Sequence, residues 1–394
     1  MQDAYIVSAI RTPVAKAGGV FSRVRPDDLL SFILKALLND NPGIDPAAID
    51  DVIIGCAMPE AEQGLNIART AALLADYPQS VAGVTVNRFC ASGLQSIAYA
   101  ANTIRLGEAE IMVAGGIESM SMIPMGGHHP AFNLKVFNQK HIGLAYGMGV
   151  TAEQVVQKYQ IEREAQDAFA FESHQKAANA IKQGYFKDEI KPYKVNTSRY
   201  DLDKKTVLQQ NIDVSQDEGV RFNTSIEQLS KLKAAFQKDG SVTAGNSSQM
   251  SDGAAAVMLC SESALKRFNL TPIARFVGFS VSGIDPKIMG IAPVAAIPKV
   301  LKQCGLKQDD MAHIELNEAF AAQSLAVIQA LDLNRDIVNP LGGAIALGHP
   351  LGATGSIRTA TLLHNLNRTN SRYGMVTMCI GGGMGAAGVF ENYQ

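Results

Sequence analysis

The feature that most narrows the fold of this chain is an alternation. Short apolar runs at residues 4–7, 52–54, 83–86 and 111–114 take turns with longer stretches of helical period, of which 27–38 and 91–106 are the clearest. Each element is apolar on a face it cannot leave in water, and strands that alternate with helices meet that need by stacking helices on a sheet. The expected class is therefore a layered α/β fold. Within 91–106 the apolar positions Leu94, Ile97, Ala98, Ala101 and Ile104 recur three or four apart, which predicts a helix packed by one face onto its sheet, with its amino end beside Cys90.

The alternation repeats. DDVIIGCAMPE (50–60) and DMAHIELNEAF (310–320) each follow a helix-like segment and lead into another, and the start SGLQSI (92–97) of the helix after Cys90 has a weak but correctly placed likeness to TGSIR (354–358) within the helix after His349, so a duplicated architecture is expected. Between the copies, over 121–243, the texture changes to glycine, histidine, charged helix and polar loop. The run 162–183 reads as helix, with no regular strands expected around it. This predicts an inserted loop domain of the kind that carries binding groups over a rigid scaffold. The assigned boundaries are 1–120 plus 244–269 for the first half, 121–243 for the insertion and 270–394 for the second half.

Composition removes several classes of function. The 35 basic residues nearly balance 37 acidic ones, so no strong field draws nucleic acid or an anionic membrane, and an anionic ligand must be held by local charges. The five cysteines, Cys56, Cys90, Cys260, Cys304 and Cys379, are odd in number and scattered without a CxxC pair. That argues against a disulfide framework or a zinc site and for a reducing compartment. The start MQDAYIVSAIRTP lacks the pattern of a signal peptide, and no apolar run reaches the ~18 residues of a membrane span. The ending Glu391-Asn392-Tyr393-Gln394 carries no retention or peroxisomal address, and the chain reads as cytoplasmic.

Four places combine reactive groups with unusual backbone. Cys90, in VNRFCASG, sits at a strand-to-helix junction where the helix dipole and free N–H groups would favour a thiolate. For an isolated cysteine a small buried thiol is the commoner case. His349, in GHPLGATG, lies between glycine and proline with small flanks, a place for a general base; taken alone it reads better as a loop histidine bonded to a carbonyl. Cys379 opens CIGGGMGAAG, whose bare N–H groups can approach a ligand and form an oxyanion hole. The embedded GxGxxG has only six residues after it, too few for a nucleotide-binding helix, and predicts a hairpin running 374–380 out and 386–390 back. Asn317, in NEAF, follows a strand-like run and taken alone would be a helix cap.

Taken together and in this order, VNRFCASG, NEAF, GHPLGATG and CIGGGMGAAG resemble the thiolase family, and the likeness runs from IVSAIRTP (6–13) to the end of the chain. The resemblance implies a thiolase-like fold, two similar five-layered α/β/α/β/α halves with an inserted loop domain. It implies an acyltransferase that cleaves 3-ketoacyl-CoA with CoA to acetyl-CoA and a shortened acyl-CoA, reversibly, through an acyl-Cys90 intermediate. By motif matching, Cys90 corresponds to the nucleophile, His349 to the residue that activates it, Cys379 to the proton shuttle and Asn317 to the residue holding a water. The N–H groups of Cys90 and Gly381 correspond to an oxyanion hole. Arg221 resembles the arginine near the CoA phosphates, and Phe236, Ser248, Met148 and Phe320 resemble pantetheine or acyl contacts. No metal or redox cofactor is implied, CoA being a co-substrate. The expected partners are acyl-CoA and CoA, with a homodimer or homotetramer as the assembly and a β-oxidation complex as a setting the sequence leaves open.

One departure bears on specificity. Gly147 precedes Met148-Gly149 where the acetoacetyl-CoA-specific branch usually has histidine, and DEGVR (217–221) and AMPE (57–60) resemble the broad-range degradative branch. The main expectation is a 3-ketoacyl-CoA thiolase and the alternative an acetoacetyl-CoA thiolase. Ketoacyl synthases, related in fold, normally carry histidine in the place of Asn317, and a non-catalytic CoA or lipid carrier would be expected to lack one of the two cysteines that this chain retains.

Overall fold

The protein is described by a computed structural model over residues 2–393; Met1 and Gln394, at the outer ends of the two assigned halves and of the terminal segments read above, lie outside the described residues. In chain order the strands are β1 (Tyr5–Arg11), β2 (Ala15–Lys16), β3 (Asp51–Gly55), β4 (Ala82–Val86), β5 (Ile111–Ser119), β6 (Tyr193–Asp201), β7 (Thr206–Val214), β8 (Ser251–Cys260), β9 (Ala274–Gly283), β10 (Met311–Leu316), β11 (Tyr373–Ile380) and β12 (Met384–Asn392). Nine of them hydrogen-bond in the order β4-β3-β5-β8-β1-β9-β12-β11-β10, with β2 on β8. The junction of the two halves is thin: β1 meets β9 only at Tyr5–Arg275 and Ile6–Ala274.

Five layers run through the two halves together. The Pro26–Asp40 helix covers the outside of the first half with Leu29, Leu30, Ile33, Leu34 and Leu37, and the Pro293–Cys304 helix covers the second with Ala296, Ile297, Val300 and Leu301. Between the two halves of this sheet lie the helices Ser92–Leu106 and Leu351–Arg368, which share one core with strands of both halves. The expectation of a single buried face on 91–106 is therefore corrected: Ser92, Gly93, Gln95, Ser96 and Ala100 are buried as well. Their small size carries no apolar period, yet it lets a second helix press against that side. A Cβ on Gly93 would lie 2.8 Å from the backbone nitrogen of Ser356, and one on Gly355 would lie 2.2 Å from that of Leu94, so the two helices cross with their backbones in contact. Truncating a fully buried side chain here, such as Ile97→Ala, would cost about 2–5 kcal/mol.

The segment 121–243 contains the helices Met148–Tyr159, Arg163–Lys182 and Ile226–Ser230. It also contains a feature the sequence reading excluded, an antiparallel ribbon of β6 and β7 paired from Tyr193–Val214 to Asp201–Thr206. Its apolar alternation is confined to the base, where Tyr193 and Val195 pair with Val214 and Ile212 over the core of the first half, a run too short to stand out in the sequence as a strand. The anticipated hairpin is present, β11 pairing with β12 from Tyr373–Glu391 to Ile380–Met384 through a turn in which Gly382 and Gly383 both take φ of 81°.

Candidate active site

Cys90 occupies a single turn, Phe89–Ala91, between β4 and the Ser92–Leu106 helix. Phe89 sits at φ 44°, unusual for a non-glycine residue, and its surroundings hold it there. Asn87 Oδ1 accepts from the Phe89 N–H at 2.8 Å, and Ser92 Oγ accepts from the Arg88 N–H at 2.8 Å while donating to the Phe89 carbonyl at 2.7 Å. The thiol packs among Ala57, Met120 and Leu351. Burial pushes it up to about 11, against the lowering effect of the Gly381 and Cys90 N–H groups that point at it. The expected helix-end thiolate is thus outweighed by desolvation, and the resting group is a thiol that needs a base.

His349 has a defined tautomer. His349 is 4% exposed and follows Gly348 (φ 92°), just after the short Ala344–Leu347 helix. The Thr354 hydroxyl donates its one proton to the Pro350 carbonyl at 2.8 Å and so can only accept at His349 Nδ1, 2.6 Å away. Nδ1 therefore carries the proton and Nε2 presents a lone pair, 3.3 Å from Asn317 Nδ2. Burial, with the charge of Arg358 second, lowers the imidazole to about 3 and keeps it neutral. The bond to a backbone carbonyl that an isolated loop histidine would make is replaced by these two side-chain partners.

Asn317 continues β10, its N–H donating to the Thr377 carbonyl of β11 at 2.9 Å, which sets it beside the strand that ends near Cys379. Its Oδ1 is buried without a partner. The capping alternative for this motif does not hold: the following helix, Ala321–Leu331, starts at Phe320, whose N–H is met by Gln323 Oε1 at 3.2 Å. Glu318 instead accepts from Ser173 Oγ (2.7 Å), Asn339 Nδ2 (2.8 Å) and the Ile345 N–H (3.2 Å), tying the insertion to the second half.

Cys379 is fully buried, and its thiol is pushed well above the ordinary range, first by burial and then by the neighbouring Cys90. It packs with Phe320, Ala319 and Met148. Phe236 crosses Phe320 edge-on at 6.0 Å and lies against Gly149, where a Cβ would meet its ring at 2.1 Å. The Ser248 N–H donates to the Ala319 carbonyl at 2.9 Å. Met148 and Phe320 thus pack with Cys379, Phe236 joins them through Phe320 and Gly149, and Ser248 through the Ala319 carbonyl. Arg221 lines an open cleft of ≈ 510 Å³ with Phe222, Asn223, Thr224, Gln228, Leu229 and Leu232. Its backbone is fixed where its own N–H donates to His174 Nδ1 at 3.1 Å.

Two further residues hold this frame, and the sequence reading did not single them out. Thr354 stood inside a quoted motif without a role. Glu118, at the end of β5, accepts from the N–H groups of Ala57 (2.8 Å), Met58 (3.2 Å) and Gly352 (2.8 Å), joining the loop under Cys90 to the start of the helix after His349. An acidic residue ending an otherwise apolar strand was the available signal.

Residues 4–263 match the family model described as thiolase, N-terminal domain, and residues 270–392 match the model for thiolase, C-terminal domain. The chain belongs to the thiolase family. Among thiolases it is 53% identical to the 3-ketoacyl-CoA thiolase of Bacillus subtilis, over 99% of this chain and 100% of that one. Its structure superposes with a TM-score of 0.89 on the Bacillus anthracis acetyl-CoA acetyltransferase and equally on human mitochondrial 3-ketoacyl-CoA thiolase, each 40% identical and each aligned over 100% of this chain and 99% of the other. No helix among the described residues of this thiolase is long and apolar enough to cross a membrane.

Proposed function

We propose that this protein is a 3-ketoacyl-CoA thiolase, transferring an acyl group from a 3-ketoacyl-CoA to CoA through Cys90. The observation that carries the reading is the convergence of the Gly381 and Cys90 N–H groups on the Cys90 sulfur, with a neutral His349 and a second buried thiol, Cys379, in the same site. Its 53% identity to a 3-ketoacyl-CoA thiolase supports the same substrate class.

In this reading His349 Nε2 takes the Cys90 proton as the sulfur bonds to the 3-keto carbon. The two N–H groups receive the negative oxygen, stabilising it where it forms. As the carbonyl re-forms, the bond between C2 and C3 breaks, leaving an acyl-Cys90 thioester, and the departing acetyl-CoA enolate takes the Cys379 proton. CoA then attacks the acyl-enzyme, its thiol proton restoring Cys379 while His349 returns the first proton to the leaving Cys90 sulfur. Asn317 steadies the enolate oxygen through a bound water, for which its unpartnered Oδ1 is suited. The thioester itself stabilises the carbanion, so the scheme calls for no metal or redox cofactor. The segment 121–243 forms the CoA-binding side, with Arg221 at the phosphates and Phe236, Ser248, Met148 and Phe320 along pantetheine and acyl chain.

We further assign a cytoplasmic homo-oligomer, a homodimer or homotetramer acting in fatty-acid β-oxidation. The open edge strand β4 and the exposed Val84 upon it support self-association. Incubation with acetyl-CoA should add one acetyl group to Cys90 by intact mass, and Cys90→Ser should abolish both this and thiolysis. An unmodified wild-type protein would refute the assignment, and activity confined to acetoacetyl-CoA would make it an acetoacetyl-CoA thiolase.

A further inference from the structure

Among the described residues two arginines, Arg11 and Arg358, are almost wholly buried, and they are treated differently. Arg11 is fully engaged, with Glu189 at 2.7 Å and both oxygens of Asp217 at 2.7 and 3.0 Å. Arg358, 1% exposed, has a single long contact, Nη1 to Glu315 Oε2 at 3.5 Å, while its Nε and Nη2 have no partner and neither does Glu315 Oε1. A cation so far from water and so weakly neutralised needs an explanation beyond packing.

Its place in the fold supplies one. Arg358 lies four residues after Thr354 on the Leu351–Arg368 helix, and so on the same face as the hydroxyl that fixes His349 Nδ1. Glu315 lies two residues before Asn317 along β10, and so on the same side of that strand as the amide facing His349 Nε2. The Glu315–Arg358 pair is therefore the layer directly beneath the Asn317–His349–Thr354 contact, reached from the same two elements. Other ionisable groups around this layer are Glu189, which accepts from Thr361 one turn further along the helix, Glu318 just past β10, Glu118 at the Gly352 N–H, and the thiols of Cys90 and Cys379.

We propose that Arg358 is a positioning residue of the acyl-transfer site: its under-neutralised guanidinium is the fixed charge that keeps His349 unprotonated between turnovers. The proton that His349 takes from Cys90 is then held only briefly and is returned to the sulfur when the acyl group leaves. Direction and cause agree with the lowering of His349, in which Arg358 ranks second to burial. The inference rests on the thiolase reading of the site.

The test follows the rate of acetyl-enzyme formation from acetyl-CoA, by rapid pH jump, quench and intact mass, from about pH 3 to pH 8, a range that runs from the value of about 3 to which the buried His349 is lowered to past the ~6.5 of free imidazole. Acetylation of wild-type Cys90 checks the thiolase reading by itself. In Glu315→Gln/Arg358→Met, which removes both buried charges together, the acid limb is expected to move up by about one pH unit relative to wild type. Arg358→Lys should follow wild type. Arg358→Gln, which still donates to Glu315, serves if the double change lacks a cooperative melt. A purely structural Arg358 would lower the amount of folded protein and leave the limb in place. A wild type that acetylates normally and a folded charge-free variant whose limb coincides with it would overturn the inference.

Discussion

Thr354 Oγ1 lies 2.6 Å from His349 Nδ1, and because its own proton goes to the Pro350 carbonyl, it accepts and cannot donate there. One hydroxyl thus decides which ring nitrogen carries the proton and leaves Nε2, beside Asn317, as the one free to accept. Thr354→Val, similar in size, should lower kcat on the order of 10-fold or more with little change in KM, since the ring loses its orientation and tautomer and not its binding surface. Thr354→Ser should retain most activity. Steady-state thiolysis of the three proteins checks this; equal activity in the valine variant would leave the tautomer unassigned.

Cys379→Ser should separate the two halves of the reaction. Cys379 sits among Met148, Ala319 and Phe320, and in the proposed mechanism it protonates the substrate carbon, whereas acetylation calls only on Cys90, His349 and the Gly381 and Cys90 N–H groups. Carbon–carbon bond cleavage should fall at least about 100-fold while acetylation of Cys90 stays within about tenfold of wild type. Parallel losses in rapid-quench acetylation and in thiolysis would contradict this division.

Gly147 bears on chain length. It has extended backbone (φ −62°, ψ 149°) ahead of the Met148–Tyr159 helix, and a Cβ there would meet nothing within 4 Å. A side chain is therefore tolerated, and the wild-type site keeps that space open beside Met148. A 3-ketoacyl-CoA of about six to eight carbons should be cleaved with a kcat/KM at least comparable to that of acetoacetyl-CoA, each buried methylene contributing up to ~0.8 kcal/mol. Gly147→His should fold normally and selectively penalise the longer substrate; uniform effects on both would remove Gly147 from the acyl path.

His174 makes stability depend on pH. It is 2% exposed, accepts the Arg221 N–H, and is lowered to about 4, by burial first and Arg221 second. A histidine depressed in the fold contributes stability that is present above its unfolded value, near 6.5, and lost as pH falls from there toward the folded value. His174→Gln can still accept that N–H but does not titrate. Between pH 7 and pH 5 it should lose about 2 kcal/mol less than wild type, read from urea melts at each pH. A constant gap between the two proteins would show that His174 titrates normally.

The sequence made the reactive groups legible because their constraints are local. Cys90 at a strand–helix turn, His349 between glycine and proline, and Cys379 before a glycine turn each leave a mark within about ten residues, and the structure brings all three together with Asn317. What stayed hidden depends on distant partners. The Cys90 thiol reads as activated by its helix until the packing of Ala57, Met120 and Leu351 is known. Arg358 reads as an ordinary cation on a helix until both halves of the sheet close over that helix. The β6–β7 ribbon escaped because its apolar alternation is confined to its base, a run too short to stand out.

The backbone contact of Gly93 and Gly355 with the opposing helix also limits how the enzyme moves. With no side chains between them, the helices carrying the nucleophile and following the base have no lubricating layer on which to slide, so the two halves cannot breathe apart without exposing bare peptide groups.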